Sequence, residues 1–102
     1  ADAIMIHSRA KSPDEVIAFC DAFHASHPDV PIVAVPSSYN TITEAELTAH
    51  GVRIVIYANQ LPRAAFPSME NAARSILVHH RAHEIDKELL PIKDIIRLIE
   101  VV

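Results

Sequence analysis

The chain of 102 residues has one glycine, one cysteine and no tryptophan. A single glycine, Gly51, leaves no room for the glycine-rich loop that cradles phosphates in nucleotide-binding folds. A single cysteine, Cys20, lies within an apolar helical stripe and excludes both a disulfide framework and a cysteine-based metal site. Nine Lys and Arg stand against 13 Asp and Glu, a formal net charge of −4. The basic residues form no run and no aromatic-interleaved patch, which argues against a nucleic-acid partner. No apolar stretch approaches the roughly 18 residues of a membrane span, and the start of the chain has neither the basic flank nor the cleavage site of a signal peptide. A cytoplasmic protein with no membrane partner is expected.

What is present is an apolar half, 50% of residues, enough for the modest core of a single domain. It is arranged as three short runs, each ending in a polar cluster and each followed by a helix-like stretch. Ala3 to Ile6 leads into His7 and Ser8, Ile32 to Val35 into Pro36, Ser37, Ser38 and Tyr39, and Val52 to Tyr57 into Asn59, Gln60 and Arg63. Strands alternating with helices predict a parallel sheet with right-handed crossovers, which brings all three clusters to one sheet edge, the edge where such folds bind ligands. The first strand begins almost at residue 1, as expected of a chain that continues upstream.

Helix signals frame the strands. Ser12, Pro13 and Glu15 read as an S-x-x-E capping box opening a helix with Val16, Ile17, Phe19, Cys20 and Phe23 on its apolar face. Thr43-Glu44-Ala45-Glu46 reads as a second box, opening a short helix that Gly51 ends at the C′ position. A longer helix is predicted from about Arg63 to His80, with Met69, Ala72, Ala73, Ile76 and Leu77 inward and Pro67 either in its first turn or kinking it. Pro91 starts a last helix striped with Ile92, Ile95, Ile96 and Ile99. The strands are nearly continuous apolar runs, the pattern of strands covered on both faces. Connections of this length cover only one face, so the other needs a further covering. The economical answer is a portion of a (β/α)8 barrel, with a small doubly wound sheet as the alternative.

Each polar cluster has a chemical and a plain reading. His7 and Ser8 offer a ring N–H and a hydroxyl to an anionic or carbonyl oxygen, or simply form a satisfied loop entry. Arg63 suits a carboxylate or phosphate, or a surface ion pair. Ser37, Ser38 and Tyr39 offer hydroxyls, or turn chemistry after Pro36. His79 and His83, four apart, invite a zinc site, but no Glu follows the first histidine as H-E-x-x-H requires and the segment lies where the helix should be ending, so a solvated, dipole-compensating helix end is the reading preferred and no metal is expected. None of the three clusters contains the paired carboxylates that hold Mg²⁺ in phosphate chemistry.

Taken together and in order, these segments resemble one family. Ala1-Asp2-Ala3-Ile4-Met5-Ile6-His7-Ser8-Arg9 with Ser12-Pro13-Asp14-Glu15 is similar to the fifth strand and helix of the phosphoenolpyruvate mutase and phosphonopyruvate hydrolase group, (β/α)8 barrels of the isocitrate lyase superfamily. Pro31 to Tyr39 resembles the sixth strand and loop, Gly51 to Asn59 with Arg63-Ala64 the seventh strand and helix, and Pro91 to Leu98 the start of the eighth helix. The resemblance implies a single partial domain over residues 1–102, covering strands five to seven and the final helices. It implies a phosphomutase-like enzyme interconverting phosphoenolpyruvate and phosphonopyruvate, with a phosphonopyruvate hydrolase as the alternative and a non-catalytic α/β binding or oligomerisation module as the rival of a different class.

By the same resemblance, His7 is a phosphoryl-group ligand with Ser8 nearby, and Asn59 and Arg63 support the same substrate-binding mouth. Ser38 and Asn40 depart from the family pattern. Mg²⁺ belongs to the parent enzyme, with its ligands and the catalytic residues on earlier strands, so the chain alone is expected to be inactive and to carry no cofactor. A homo-oligomer is expected, formed through the bare sheet face or the helix at 91–100.

Overall fold

The computed structural model describes residues 1–99. Its elements run β1 (Ile4–Ile6), α1 (Asp14–Ser26), β2 (Ile32–Ala34), α2 (Glu44–Ala49), β3 (Val52–Val55), α3 (Gln60–His79), a 3₁₀ turn (Asp86–Glu88) and α4 (Ile92–Leu98). They divide into two compact units, Ala1–Gln60 and Leu61 onward.

In the first unit the strands form a parallel sheet in the order β1-β2-β3. One core cluster joins Val16 and Cys20 of α1, Leu47 of α2, Tyr39, and Ile32, Ala34 and Val52 of the sheet, with Ile4, Ile6 and Val55 packed against it. Both helices therefore cover the same face. A doubly wound sheet reverses its strand order and carries helices on both faces, so that alternative is not what forms here. On the opposite face the register aligns Met5, Val33 and Ile54 in one row, where Met5 is 62% and Ile54 50% exposed. The apolar face read from the strands is thus uncovered at its two outer strands, while Val33 of the central strand is only 9% exposed.

Local chemistry sets the element ends. The box at α2 forms as expected: Thr43 Oγ1 accepts from the Glu46 amide at 3.2 Å while the Thr43 amide donates to Glu46 Oε2 at 2.7 Å. The Thr43 amide, and with it the Thr43 hydroxyl at 2.8 Å, both donate to that carboxylate and hold the Glu46 carboxyl below its ordinary range. Gly51 then adopts φ +89, a left-handed geometry open to glycine at little cost. A Cβ there would also lie 2.9 Å from His24 Nδ1, so both backbone and space require glycine.

The box at α1 does not form. Pro13 occupies the N-cap position without a side-chain bond, and Ser12 Oγ accepts only from the Asp14 amide at 3.3 Å. Glu15 turns instead to the hydroxyl of Ser8, because a buried hydroxyl gains more from an ionised acceptor than an exposed helix end gains from its cap. Phe19, placed on the inward face by its spacing, is exposed at the rim and stacks on Phe23 with ring centroids 5.7 Å apart. β3 is shorter than the apolar run that predicted it, since its partner β2 ends at Ala34, opposite Val55; within it, a register shift after Val52 leaves Arg53 without a ladder partner.

In the second unit, α3 starts at Gln60, three residues before the predicted start, which puts Pro67 in the helix interior, where it removes one backbone bond. No residue of α3 is buried. Met69, Ile76 and Leu77, expected inward, are exposed, because the short 3₁₀ turn and α4 offer little to pack on; among this unit's described residues only Ile85 is buried. Pro91 stands at the N-cap of α4 rather than in its first turn. Ile92, Ile95, Ile96 and Ile99 all remain exposed, and residue 100, where the predicted helix ends, lies outside the described residues.

Candidate functional site

Parallel pairing sends the residues after β1, β2 and β3 to one edge of the sheet, as the three polar clusters implied. At the end of β1, His7 is exposed and its imidazole lies 6.5 Å from the Tyr39 ring, tilted by 52°. Ser8, next in sequence, is only 6% exposed and is the one buried polar residue among those described. Its hydroxyl donates to Glu15 Oε2 at 2.5 Å and accepts from the Ala10 amide at 3.1 Å. Of the two readings of Ser8, ligand donor or satisfied loop entry, its bonds here form the second, with its proton held by Glu15.

After β2, the Ser37 amide donates to the Val35 carbonyl at 2.8 Å, closing a tight turn. Ser37 and Ser38 are half-buried. Tyr39, read as a possible ligand donor, is instead fully buried in the core, and its hydroxyl has no hydrogen-bond partner among the described residues. Burial pushes its phenol above the ordinary range, opposed by the nearby Val35 backbone. The aromatic ring supplies core volume beneath His7 rather than a hydroxyl at the edge.

After β3, Tyr57 donates from its hydroxyl to Glu44 Oε1 at 2.7 Å. The ring is 56% exposed, and the carboxylate, as acceptor, favours the neutral phenol and raises its pKa. Asn59 is half-buried, its amide donating to Gln60 Oε1 at 3.2 Å. Arg63 follows in the first turn of α3, exposed, within the second unit.

Two hydrogen-bond acceptors at this edge escaped the sequence pattern. Glu15 and Glu44 look like ordinary first-turn acids of capping boxes, yet each accepts a hydroxyl from the residues that follow a strand, Ser8 and Tyr57. A first-turn glutamate near a strand-end hydroxyl was the available signal, but the spacing of seven or 13 residues hides it from a search for i, i+3 pairs.

Other charged groups form local pairs. Asp21 Oδ1 lies 2.6 Å from His50 Nδ1, a pair linking α1 to the residues just before β3, at the opposite end of the sheet. His79 Nδ1 lies 2.9 Å from the Ser75 carbonyl, and Arg81 pairs with Glu84. Among the described residues no three His, Cys, Asp or Glu side chains gather to hold a metal, so neither the zinc reading nor a Mg²⁺ site finds its ligands there. In the second unit a cavity of about 240 Å³ is lined mainly by Met69, Ala72, Ile85, Leu89 and Leu90. Its one carboxylate, Glu88, accepts from Asn71 at 3.1 Å. Among the described residues no helix is long and apolar enough to cross a membrane.

Against known proteins, the family described as phosphoenolpyruvate phosphomutase matches residues 1–77. A phosphonopyruvate hydrolase of Variovorax sp. (strain Pal2) is 41% identical over 96% of this chain and 33% of its own length. A phosphoenolpyruvate phosphomutase of Streptomyces hygroscopicus is 30% identical over 98% of the chain and 31% of its own. The chain thus spans about a third of the length of the curated relatives it matches. Two solved structures align over 96% of the chain. One is a phosphoenolpyruvate phosphomutase from Streptomyces platensis subsp. rosaceus, with TM-score 0.86, 36% identity and 33% of that protein covered. The other is a phosphonopyruvate hydrolase in complex with oxalate and Mg++, with TM-score 0.80, 43% identity and 34% covered.

Proposed function

The chain belongs to the phosphoenolpyruvate phosphomutase family, its three strands being a portion of a (β/α)8 barrel, and from that premise we propose that the strand-end edge carrying His7 binds the phosphoryl group of phosphonopyruvate. The observation that supports the reading is the placement of an exposed imidazole at the C-terminal end of a parallel strand, over a buried aromatic ring and beside a loop tied down by Ser8. Barrel enzymes take their catalytic and binding groups from this edge.

The roles follow from side-chain chemistry. His7 donates a ring N–H to a phosphonate oxygen, a bond that strengthens when the ring is charged. Asn59 offers an amide N–H to the carbonyl or carboxylate end. Arg63 presents a planar fork that matches a phosphonate in bidentate fashion; its role, like that of Asn59, rests on the family resemblance. Ser8 contributes by holding the loop. In the relatives Mg²⁺ fits this chemistry, as the oxalate and Mg++ complex of the hydrolase indicates, but the side chains described here do not assemble a site for it.

Two reactions share this substrate: migration of the phosphoryl group between carbon and enol oxygen, and hydrolysis of the P–C bond to pyruvate and phosphate. The mutase reading rests on the family match. The hydrolase reading is favoured by the higher identities, 41% against 30% in sequence and 43% against 36% in structure. We further propose that the uncovered sheet face or α4 is buried against a second copy of the chain.

The test is direct. With Mg²⁺ and phosphonopyruvate, the purified 102-residue chain is expected to yield neither pyruvate nor phosphoenolpyruvate, because no metal ligands gather among its described residues. The ³¹P line of phosphonopyruvate should nevertheless broaden in its presence, less with His7→Ala or Arg63→Ala. Turnover by the chain, or broadening unaffected by both substitutions, contradicts the proposal.

A further inference from the structure

We propose that Glu15 is a positioning residue for His7, acting through Ser8; the proposal rests on the reading of His7 as the phosphoryl ligand. The starting point is a local preference that the molecule sets aside. Ser12 and Glu15 have the spacing of a capping box, and the Thr43–Glu46 pair in the same unit shows that such a box forms when nothing competes. At α1 it does not form, and the carboxylate reaches back seven residues to Ser8. A local rule broken without local gain marks a place where another constraint prevails.

The constraint here is the loop that follows His7. Ser8 is buried, and a buried hydroxyl without partners is costly. Its bond to Glu15, at 2.5 Å, has the length of a charge-assisted O–H···O⁻ contact. With its proton held there, the same oxygen is oriented to accept the Ala10 amide at 3.1 Å. Two bonds from one oxygen thus fix the backbone from Ser8 to Ala10.

His7 is held on its other side by Ile6, which pairs with Ala34 in the sheet. Its backbone therefore lies between a ladder residue and a clamped one, and its ring rests near Tyr39. Tyr57 and Glu44 repeat the hydroxyl-to-carboxylate device at the end of β3, but there the ring is largely in solvent and the bond competes with water, so it constrains the edge far less.

A purely structural alternative exists: an acid in the first turn also steadies a helix through its dipole. Two substitutions separate the possibilities. Glu15→Gln keeps the reach and a carbonyl oxygen to accept from Ser8 but loses the charge. Glu15→Asp keeps the charge at the helix start but is one methylene short of Ser8. The readout, in the 102-residue chain without ligand, is the three-bond couplings that report the His7 χ1 rotamer, together with hydrogen exchange at the Ala10 amide.

Positioning predicts one His7 rotamer and slow Ala10 exchange in the parent and in Glu15→Gln. In Glu15→Asp it predicts averaged rotamers and Ala10 exchange faster by about tenfold or more, while signals from Val16 and Cys20 stay in place. The opposite order, with Asp retaining His7 order and Gln losing it, or no change in either variant, overturns the proposal. Adding methylphosphonate then tests the reading beneath it. The His7 ring resonances should move in the parent and in Glu15→Gln, with an affinity about tenfold lower in Glu15→Asp. If they move in none of the three, the ligand assignment fails while the ligand-free couplings still decide whether Glu15 orders His7.

Discussion

The two faces of the three-stranded sheet are made of the same kinds of side chain and meet opposite fates. Ile4, Ile6, Ile32, Ala34, Val52 and Val55 lie against α1 and α2, whereas in the opposite row Met5 and Ile54, on the outer strands, are half-exposed or more and only the central Val33 is buried between its neighbours. Apolar character alone does not distinguish the two sets. What does is the crossover hand, which places both helices on one side. Cohesion of the first unit therefore resides on the helix-covered face, and the apolar side chains of the other face add little to it while remaining available for burial.

The largest expected effect sharpens that contrast. Leu47→Ala, in the covered core, should destabilise the chain by about 3 kcal/mol in denaturant unfolding, the range for a fully buried leucine. At concentrations low enough to keep the chain monomeric, Met5→Ser and Ile54→Thr should each change it by less than about 0.5 kcal/mol. Equal costs on both faces would mean that the second face is already buried. Self-association is the next test. Sedimentation at micromolar concentration should find a dimer or larger assembly, and a Met5→Lys, Ile54→Lys double variant should weaken it if the sheet face is the contact. A persistent dimer in the double variant moves the contact to α4, where Ile92 is 78% exposed, and a parent chain that is monomeric contradicts the proposed assembly.

A smaller effect compares the two tyrosines. Both phenols are raised, Tyr39 by burial and Tyr57 by its bond to Glu44. A raised phenol favours the folded state below its unfolded value of about 10 and loses that contribution as pH climbs through the folded value. Ultraviolet titration should therefore show both tyrosines ionising above the ordinary range, with Glu44→Ala lowering the Tyr57 midpoint and leaving Tyr39 unchanged. Tyr39→Phe removes a buried hydroxyl without a partner among the described residues, and should cost nothing or stabilise slightly. A clear loss of stability would show that the hydroxyl has a partner.

Much of the architecture was legible because it follows from short-range pattern. Three apolar runs with intervening helix signals specify parallel strands, and the Thr43–Glu46 box and Gly51 mark the ends of α2 through contacts three or four residues apart. The readings that failed depend on tertiary competition. Glu15 was assigned by spacing to Ser12, but the buried Ser8 hydroxyl claims it. Tyr39 followed two serines and looked like an edge residue, yet its ring fills the core. Met69, Ile76 and Leu77 have helical periodicity, which marks an apolar face without saying what will cover it. At the site, the position of His7 followed from strand topology, while the commitment of Ser8 to Glu15 became visible only with the fold.

The claim that the His7 edge is the ligand face is tested most directly by resolving the imidazole resonances of the chain and titrating with phosphonopyruvate. The seven histidines are spread over the molecule, and His24 and His50 lie beside Gly51 and before β3, at the opposite end of the sheet from His7. Saturable shifts at His7, with His24 and His50 unmoved, are the predicted result. Shifts at His24 or His50 with His7 unmoved would place the ligand at the wrong end of the strands and contradict the account.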